Sequence, residues 1–262
     1  MIKYLLYIKI FLNLLVIFYY NRKTIRKIFY NPKIPVVDVE NLDKIFIPKI
    51  KKNNLKFPKN DTIINTFCVP GNYNVVGMTS DYESWILGSL SKKALNIFEF
   101  GTCSGRTTYL FGLNSPQESK IVTITLDPNK LDEVKNKKNK YDNSSATLNI
   151  LNESIYEEFM FSGQEVEKKI EVIFKDSRDL DVTNLEKKFD LIFIDGGHTY
   201  SCIKNDTEKA LKMINNNGLI LWHDYSVGKR SHNDVYKYLE EISFLHKIYN
   251  IRDTSLCFYR KV

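Results

Sequence analysis

The chain of 262 residues is 43% hydrophobic and 26% charged, a globular balance that argues against a disordered or fibrous polymer and suits one domain with an N-terminal addition. Its four cysteines, Cys68, Cys103, Cys202 and Cys257, lack CxxC spacing, which argues against a zinc knuckle or a disulfide scaffold and fits a reducing compartment. Much of the net charge of +7 sits in two clusters, Arg22, Lys23, Arg26 and Lys27, then Lys135, Lys137, Lys138 and Lys140; without interleaved aromatics on a basic face, no nucleic-acid partner is expected.

Residues 4–20, YLLYIKIFLNLLVIFYY, are apolar apart from Lys9 and Asn13. A bilayer span needs about 20 apolar residues, so the segment is expected to be a membrane anchor or interfacial helix, with a helix packed on the domain or on a partner as the alternative. No small-residue cleavage site follows it, and the basic residues after it would leave the remaining chain in the cytoplasm. Residues 1–30 are therefore set apart as an apolar helix. Residues 31–77, with Pro32, Pro35, Pro48, Pro58 and Pro70, read as an irregular extension draped over the domain at 78–262.

From residue 82 helical and strand patterns alternate. YESWILGSLSKKA has helical spacing, LNIFEF is a short buried strand, and the turn GTCSG opens the helix RTTYLFGLN. There follow the strand IVTITLD, the helix NKLDEVKNKKNK, the strands IEVIFKDS and DLIFID, the helix YSCIKNDTEKALKMI, the strand GLILWHD and the helix NDVYKYLEEI. Nearly continuous apolar strands between helices predict a parallel sheet covered on both faces, a doubly wound α/β fold. In the tail, RDT between FLHKIYNI and SLCFYR is too short for a parallel crossover, so the last of seven strands should run antiparallel at the far side of the sheet. Residues 146–168 do not fit the alternation and are expected to form an insertion over the mouth of the site.

Ligands bind such sheets beyond the carboxyl ends of the strands, and four of those ends carry acids. In EFGTCSGRTT, Gly101 and Gly105 allow a sharp turn and close approach of a ligand, with Glu99 just before them. Asp127 closes the next strand, where a carboxylate can accept both hydroxyls of a ribose, which points to a nucleoside. Asp176 and Ser177 stand where an adenine ring would lie; a polar turn capping a helix is the other reading. Asp195 ends DLIFID, Gly196 and Gly197 let the chain leave, and His198 points back over the strand ends. His223 and Asp224 end the neighbouring strand, so two carboxylates and two imidazoles should converge. Asp195, Asp224 and His223 are the candidate metal ligands: the two carboxylates would suit Mg²⁺ or another hard divalent cation, and the histidine admits softer metals.

The motifs FEFGTCSGRTT, ITLDP, FDLIFIDGGHTY and GLILWHDY resemble class I S-adenosylmethionine-dependent methyltransferases over roughly residues 78–262, most closely the group of catechol O-methyltransferase and macrocin-type sugar O-methyltransferases. The resemblance implies a Rossmann-like, seven-stranded, mostly parallel sheet with an antiparallel last strand and S-adenosyl-L-methionine as cofactor. It implies Glu99, Gly101, Thr102, Ser104 and Gly105 at the methionine end, Asp127 on the ribose, Asp176 and Ser177 on the adenine, and Asp195 at the cofactor and the reacting centre. Asp195 and Asp224 match metal positions, His223 replaces an acid found in some sugar enzymes, and His198 stands where such enzymes place a general base. Tyr225 departs from the pattern, which has an amide there in the catechol enzyme. The implied reaction is O-methylation of a hydroxyl on a sugar or other small molecule. Lys229, Arg230 and His232 hint at an anionic acceptor such as a charged glycan, and a homo-oligomer is compatible with the family. Two rival readings are an NAD-type oxidoreductase, for which the GxGxxG spacing is absent, and an inactive membrane-tethered binding domain, which Tyr225 allows and the retained Asp195, His198 and Asp224 oppose.

Overall fold

The computed structural model describes residues 2–20, 32–39, 63–66, 79–132, 148, 150–226 and 233–262. The first element, α1 (Ile2–Tyr20), has 19 residues, about 28 Å at ~1.5 Å per residue. Its described apolar side chains, Tyr7–Ile17 with Tyr19 and Tyr20, are between 47% and 79% exposed. Lys9 and Asn13 interrupt it, and among the described residues no helix is long and apolar enough to cross a membrane. The expected spanning anchor is therefore not supported.

The remaining chain alternates as its periodicity requires: β1 (Val36–Val37), α2 (Asp81–Ser91), β2 (Asn96–Phe100), α3 (Arg106–Asn114), β3 (Lys120–Thr125), β4 (Ile170–Phe174), β5 (Phe189–Ile194), α4 (Tyr200–Met213), β6 (Ile214–Trp222), α5 (Asn233–Ile242), β7 (Tyr249–Ile251) and β8 (Cys257–Arg260). Local chemistry sets the helix starts. Ser80 and Glu83 form a reciprocal capping box at α2, and the Thr199 hydroxyl accepts from the Cys202 amide at α4. The helix expected over NKLDEVKNKKNK begins as a 3-10 turn at Pro128–Lys130, and its continuation past 132 lies outside the described residues.

One sheet runs in the order β1-β7-β8-β6-β5-β2-β3-β4. It has eight strands where the sequence predicts seven. The extra strand comes from the stretch read as irregular: Val36 and Val37 pair in parallel with Asn250 and Ile251, at the edge of the sheet and directly after Pro35, which has no N–H to donate. β8 is antiparallel to both β6 and β7, as the short RDT link demands, yet it lies between them rather than at the far side. Cys257 and Phe258 are accordingly buried, as an interior strand requires.

The two faces of the sheet carry separate cores, and β5 feeds both. Ile192 and Ile194 pack with Phe98, Phe100, Trp222 and Leu239 on one face. Leu191 and Phe193 pack with Ile97, Phe111, Leu221 and Phe258 on the other. That double burial is why the strand reads as one apolar run, with each fully buried large side chain contributing about 1.5–3 kcal/mol. Between β2 and β5 the strand order reverses, so α3 packs on one face and α4 on the other, which leaves a crevice at the strands' carboxyl ends.

Candidate active site

That crevice holds an open pocket lined by Gly101, Asp176, Ser177, Asp195 and Gly196, at the strand ends where such sheets bind ligands. Gly101, at φ +100°, forms its floor; a Cβ there would lie 2.3 Å from the Asp195 carbonyl oxygen and 2.7 Å from Gly196 Cα, so the turns after β2 and β5 touch backbone to backbone. The ladder continues into them, Gly101 N donating to Ile124 O at 3.0 Å and Asp195 N to Phe100 O at 2.9 Å. Residues 150–162 close one side. Phe159 and Phe161 press on Gly105, Met160 N donates to Ser104 O at 2.9 Å, and Ile150, Glu153 and Ser154 line the cavity.

Beside the cavity stands an acid–imidazole cluster. The parallel register pairs Ile194 with Trp222, which brings Asp195 next to His223 and Asp224. Asp224 adopts a left-handed backbone, φ +59°, that aspartate tolerates and that turns its carboxylate inward. His198 Nε2 lies 2.9 Å from Asp224 Oδ2 and 3.8 Å from Asp195 Oδ1. His223 Nδ1 lies 3.1 Å from Asp195 Oδ1 and 3.4 Å from Asp224 Oδ2, off the hydrogen-bonding axis, while its Nε2 faces Glu83 Oε2 at 3.5 Å. Burial disfavours a charged imidazole, but Asp195 and Asp224 outweigh it and hold His198 up to about 10. His223 is raised by the same pair and Glu83, also against burial. Burial opposes ionisation of Asp224, yet the two imidazoles keep it well below the usual carboxylate range. Asp195, His198 and Asp224 each offer one atom within 4.8 Å of the others, an oxygen and nitrogen set able to hold a hard divalent ion or a softer one.

Residues 98–225 match a family model described as methyltransferase domain, a span that holds the glycine turn, the cavity lining and the cluster on Asp195, His198, His223 and Asp224. These residues are similar to the methyltransferase domain family. No curated protein sequence matches the chain. Among solved structures, a candidate caffeoyl-CoA O-methyltransferase from Staphylococcus aureus is 16% identical with a TM-score of 0.51, over 71% of this chain and 85% of that one. A candidate O-methyltransferase from Klebsiella pneumoniae is 13% identical with a TM-score of 0.50, over 71% and 83%. At such identities the likeness shows the fold.

Within residues 98–225, Gly101, Asp176, Ser177 and Asp195 line the cavity. Glu99, Thr102 and Ser104 do not; they are 1%, 3% and 4% exposed. The Glu99 carboxyl accepts from Thr108 Oγ1 and from Thr123 Oγ1, the latter at 2.7 Å, and Thr123 also meets Thr102 Oγ1 at 2.7 Å. Burial pushes Glu99 up to about 8, so it is a protonated brace under the turn rather than a cavity-facing ligand. Asp127 caps Asn129 N at 3.0 Å and pairs with Lys130 at 3.5 Å; its neighbour Leu126 lines the cavity. Asp176 lines the cavity and caps the 3-10 turn Ser177–Asp179, its carboxylate taking Arg178 N at 2.9 Å and the guanidinium at 2.7 Å.

Tyr225 is buried at 4% and donates its hydroxyl to Glu240 Oε1 at 2.6 Å; Glu240 Oε2 also accepts Lys33 N at 2.6 Å. The departure from the catechol pattern thus tethers α5 to the segment before β1. Lys229, Arg230 and His232 lie outside the described residues.

Two acids of the site escaped the sequence reading. Asp206 on α4 is 2% exposed, lines the cavity, and is pushed up to about 6 by burial against the pull of Ser177 and Asn205. Glu83 on α2 is 5% exposed and reaches His223. Each carried a signal: an acid inside an otherwise apolar helical stripe, Ile203-Asp206-Thr207-Ala210 and Glu83-Ile86-Leu87-Leu90.

Proposed function

We propose that the chain transfers the methyl group of S-adenosylmethionine to a hydroxyl of a small acceptor, a sugar being the leading candidate class. The observation that carries this reading is that Asp195 belongs at once to the cavity wall and to the acid–imidazole cluster. A nucleoside seated over Gly101, with adenine toward Asp176 and Ser177 and ribose toward Asp127, would bring its sulfonium end beside that cluster.

Methyl transfer from a sulfonium is an in-line displacement, so the protein's tasks are to align acceptor oxygen, methyl carbon and sulfur, and to take the acceptor's proton. Asp195 and Asp224 are the residues that would hold a divalent cation; His198 Nε2 is kept for the proton, since one lone pair cannot serve both. Such a cation lowers the pKa of a bound hydroxyl and takes up the carboxylate charge that otherwise keeps His198 protonated. Once protonated, the His198 imidazolium is stabilised by the Asp224 carboxylate, 2.9 Å away. Every group named lies in one chain, so neither a membrane nor a second subunit is required. A hydride-transferring enzyme would leave this cluster without a task, and an inactive binding domain would have no need of it.

Incubation with methyl-tritiated S-adenosylmethionine and a sugar library tests the reading. Treatment with EDTA is expected to lower transfer at least ~10-fold, with Mg²⁺ or Mn²⁺ restoring it. His198→Ala is expected to lower turnover by ~10² or more. Full activity after both changes would refute the assigned roles.

A further inference from the structure

Glu83 lies on α2, outside the glycine turn, and its carboxylate accepts four hydrogen bonds. Oε2 accepts Ser80 N at 2.9 Å and Ser80 Oγ at 2.8 Å; Oε1 accepts Ser255 N at 2.7 Å and Ser255 Oγ at 2.8 Å. Ser80 is the N-cap of α2 and Ser255 lies in the turn between β7 and β8, so two separate elements fix the direction of this one group. A capping box alone requires only the Ser80 side. The remaining contact, His223 Nε2 at 3.5 Å, points into the site. His223 cannot slide along the strand, because its backbone N donates to Ile194 O at 3.0 Å, and Phe193 packs edge-on with its ring centroid 6.1 Å away. The imidazole is thereby held between Glu83 on one side and Asp195 and Asp224 on the other.

We infer that Glu83 is a positioning residue: acting through His223, which the Asp195 and Asp224 carboxylates face at 3.1 and 3.4 Å, it sets the orientation of the two acids assigned to the cation. The inference rests on the methyltransferase reading above for the purpose of that orientation, and on geometry alone for the clamp. It assigns His223 a place behind the carboxylates instead of among the ligands. Groups that orient metal ligands from behind typically change affinity by about 10- to 100-fold when removed.

The full chain is titrated with Mn²⁺ by electron paramagnetic resonance and with S-adenosylmethionine by calorimetry. Glu83→Gln is expected to weaken Mn²⁺ binding ~10-fold and to leave S-adenosylmethionine affinity within about twofold. The double variant Glu83→Gln/His223→Gln should bind Mn²⁺ no more weakly than His223→Gln alone, because two changes in one chain of contacts do not add. Unchanged Mn²⁺ affinity in Glu83→Gln, losses that multiply in the double variant, or a joint fall of both affinities would overturn the inference, the last because it marks general damage to α2. Should Glu83→Gln not fold, Ser255→Ala, which removes one donor and spares the capping box, is read in its place: weaker Mn²⁺ binding sustains the clamp and unchanged binding overturns it. If the unaltered protein binds no Mn²⁺, the cation part of the functional reading is wrong. The imidazole ¹⁵N resonances of His223 then decide the clamp, a shift in Glu83→Gln sustaining it and no shift overturning it.

Discussion

Asp195→Asn is expected to lower turnover by ~10² or more while the protein stays folded. Asp195 lies in the cavity wall and within reach of both imidazoles, His223 at 3.1 Å and His198 at 3.8 Å, so one change affects cofactor seating, cation binding and the setting of the base. The fold should survive because of charge balance. The cluster sets three carboxylates, on Glu83, Asp195 and Asp224, against two imidazoles raised toward their charged form. Asparagine keeps the shape and leaves two carboxylates for two imidazolium groups. Steady-state kinetics with a tritiated methyl donor, alongside thermal unfolding, check both parts; an Asn variant with unaltered turnover would remove Asp195 from the chemistry.

Gly101→Ala should cause the largest loss of stability. Its φ of +100° is hostile to a side chain, and the added Cβ would meet the Asp195 carbonyl oxygen at 2.3 Å, a backbone atom that cannot swing aside. Strain of this kind costs on the order of 1–3 kcal/mol before the clash is counted, so about 3 kcal/mol or more is expected in all. For a chain of this size that corresponds to a fall in Tm of roughly 6–12 °C. Relief of the clash would drive the ends of β2 and β5 apart, and S-adenosylmethionine binding should be lost with it. Gly163 is the control. It also has positive φ, +74°, but nothing lies within 4 Å of its Cβ position, so Gly163→Ala should cost only about 1–2 kcal/mol and spare binding. Equal Tm values for the two variants by differential scanning calorimetry would contradict the assigned backbone contact.

The fold was legible where one physical rule dominated. Strands buried on both faces read as unbroken apolar runs, and RDT was too short for anything but a hairpin. The position of β8 inside the sheet was not legible, because link length sets strand direction and not lateral order. Val36–Val37 was missed because a strand of two residues carries no periodicity. The acid–imidazole cluster was legible because residues at the ends of adjacent parallel strands must be neighbours. The direction of Glu99 was misjudged for a reason present in its own strand: alternation puts it on the face of Ile97, under α3, where Thr108 meets it. Glu83 and Asp206 were missed because each reads as an ordinary helical acid until the face it occupies is known to be buried.

The central claim is that the crevice between Gly101 and Asp195 is built for a sulfonium nucleoside. Calorimetric titration of the full chain with S-adenosylmethionine, S-adenosylhomocysteine and NAD measures this most directly. Saturable one-site binding of both sulfur nucleosides, with no heat from NAD, is the predicted result. Saturation by NAD with no response to either sulfur compound would contradict it.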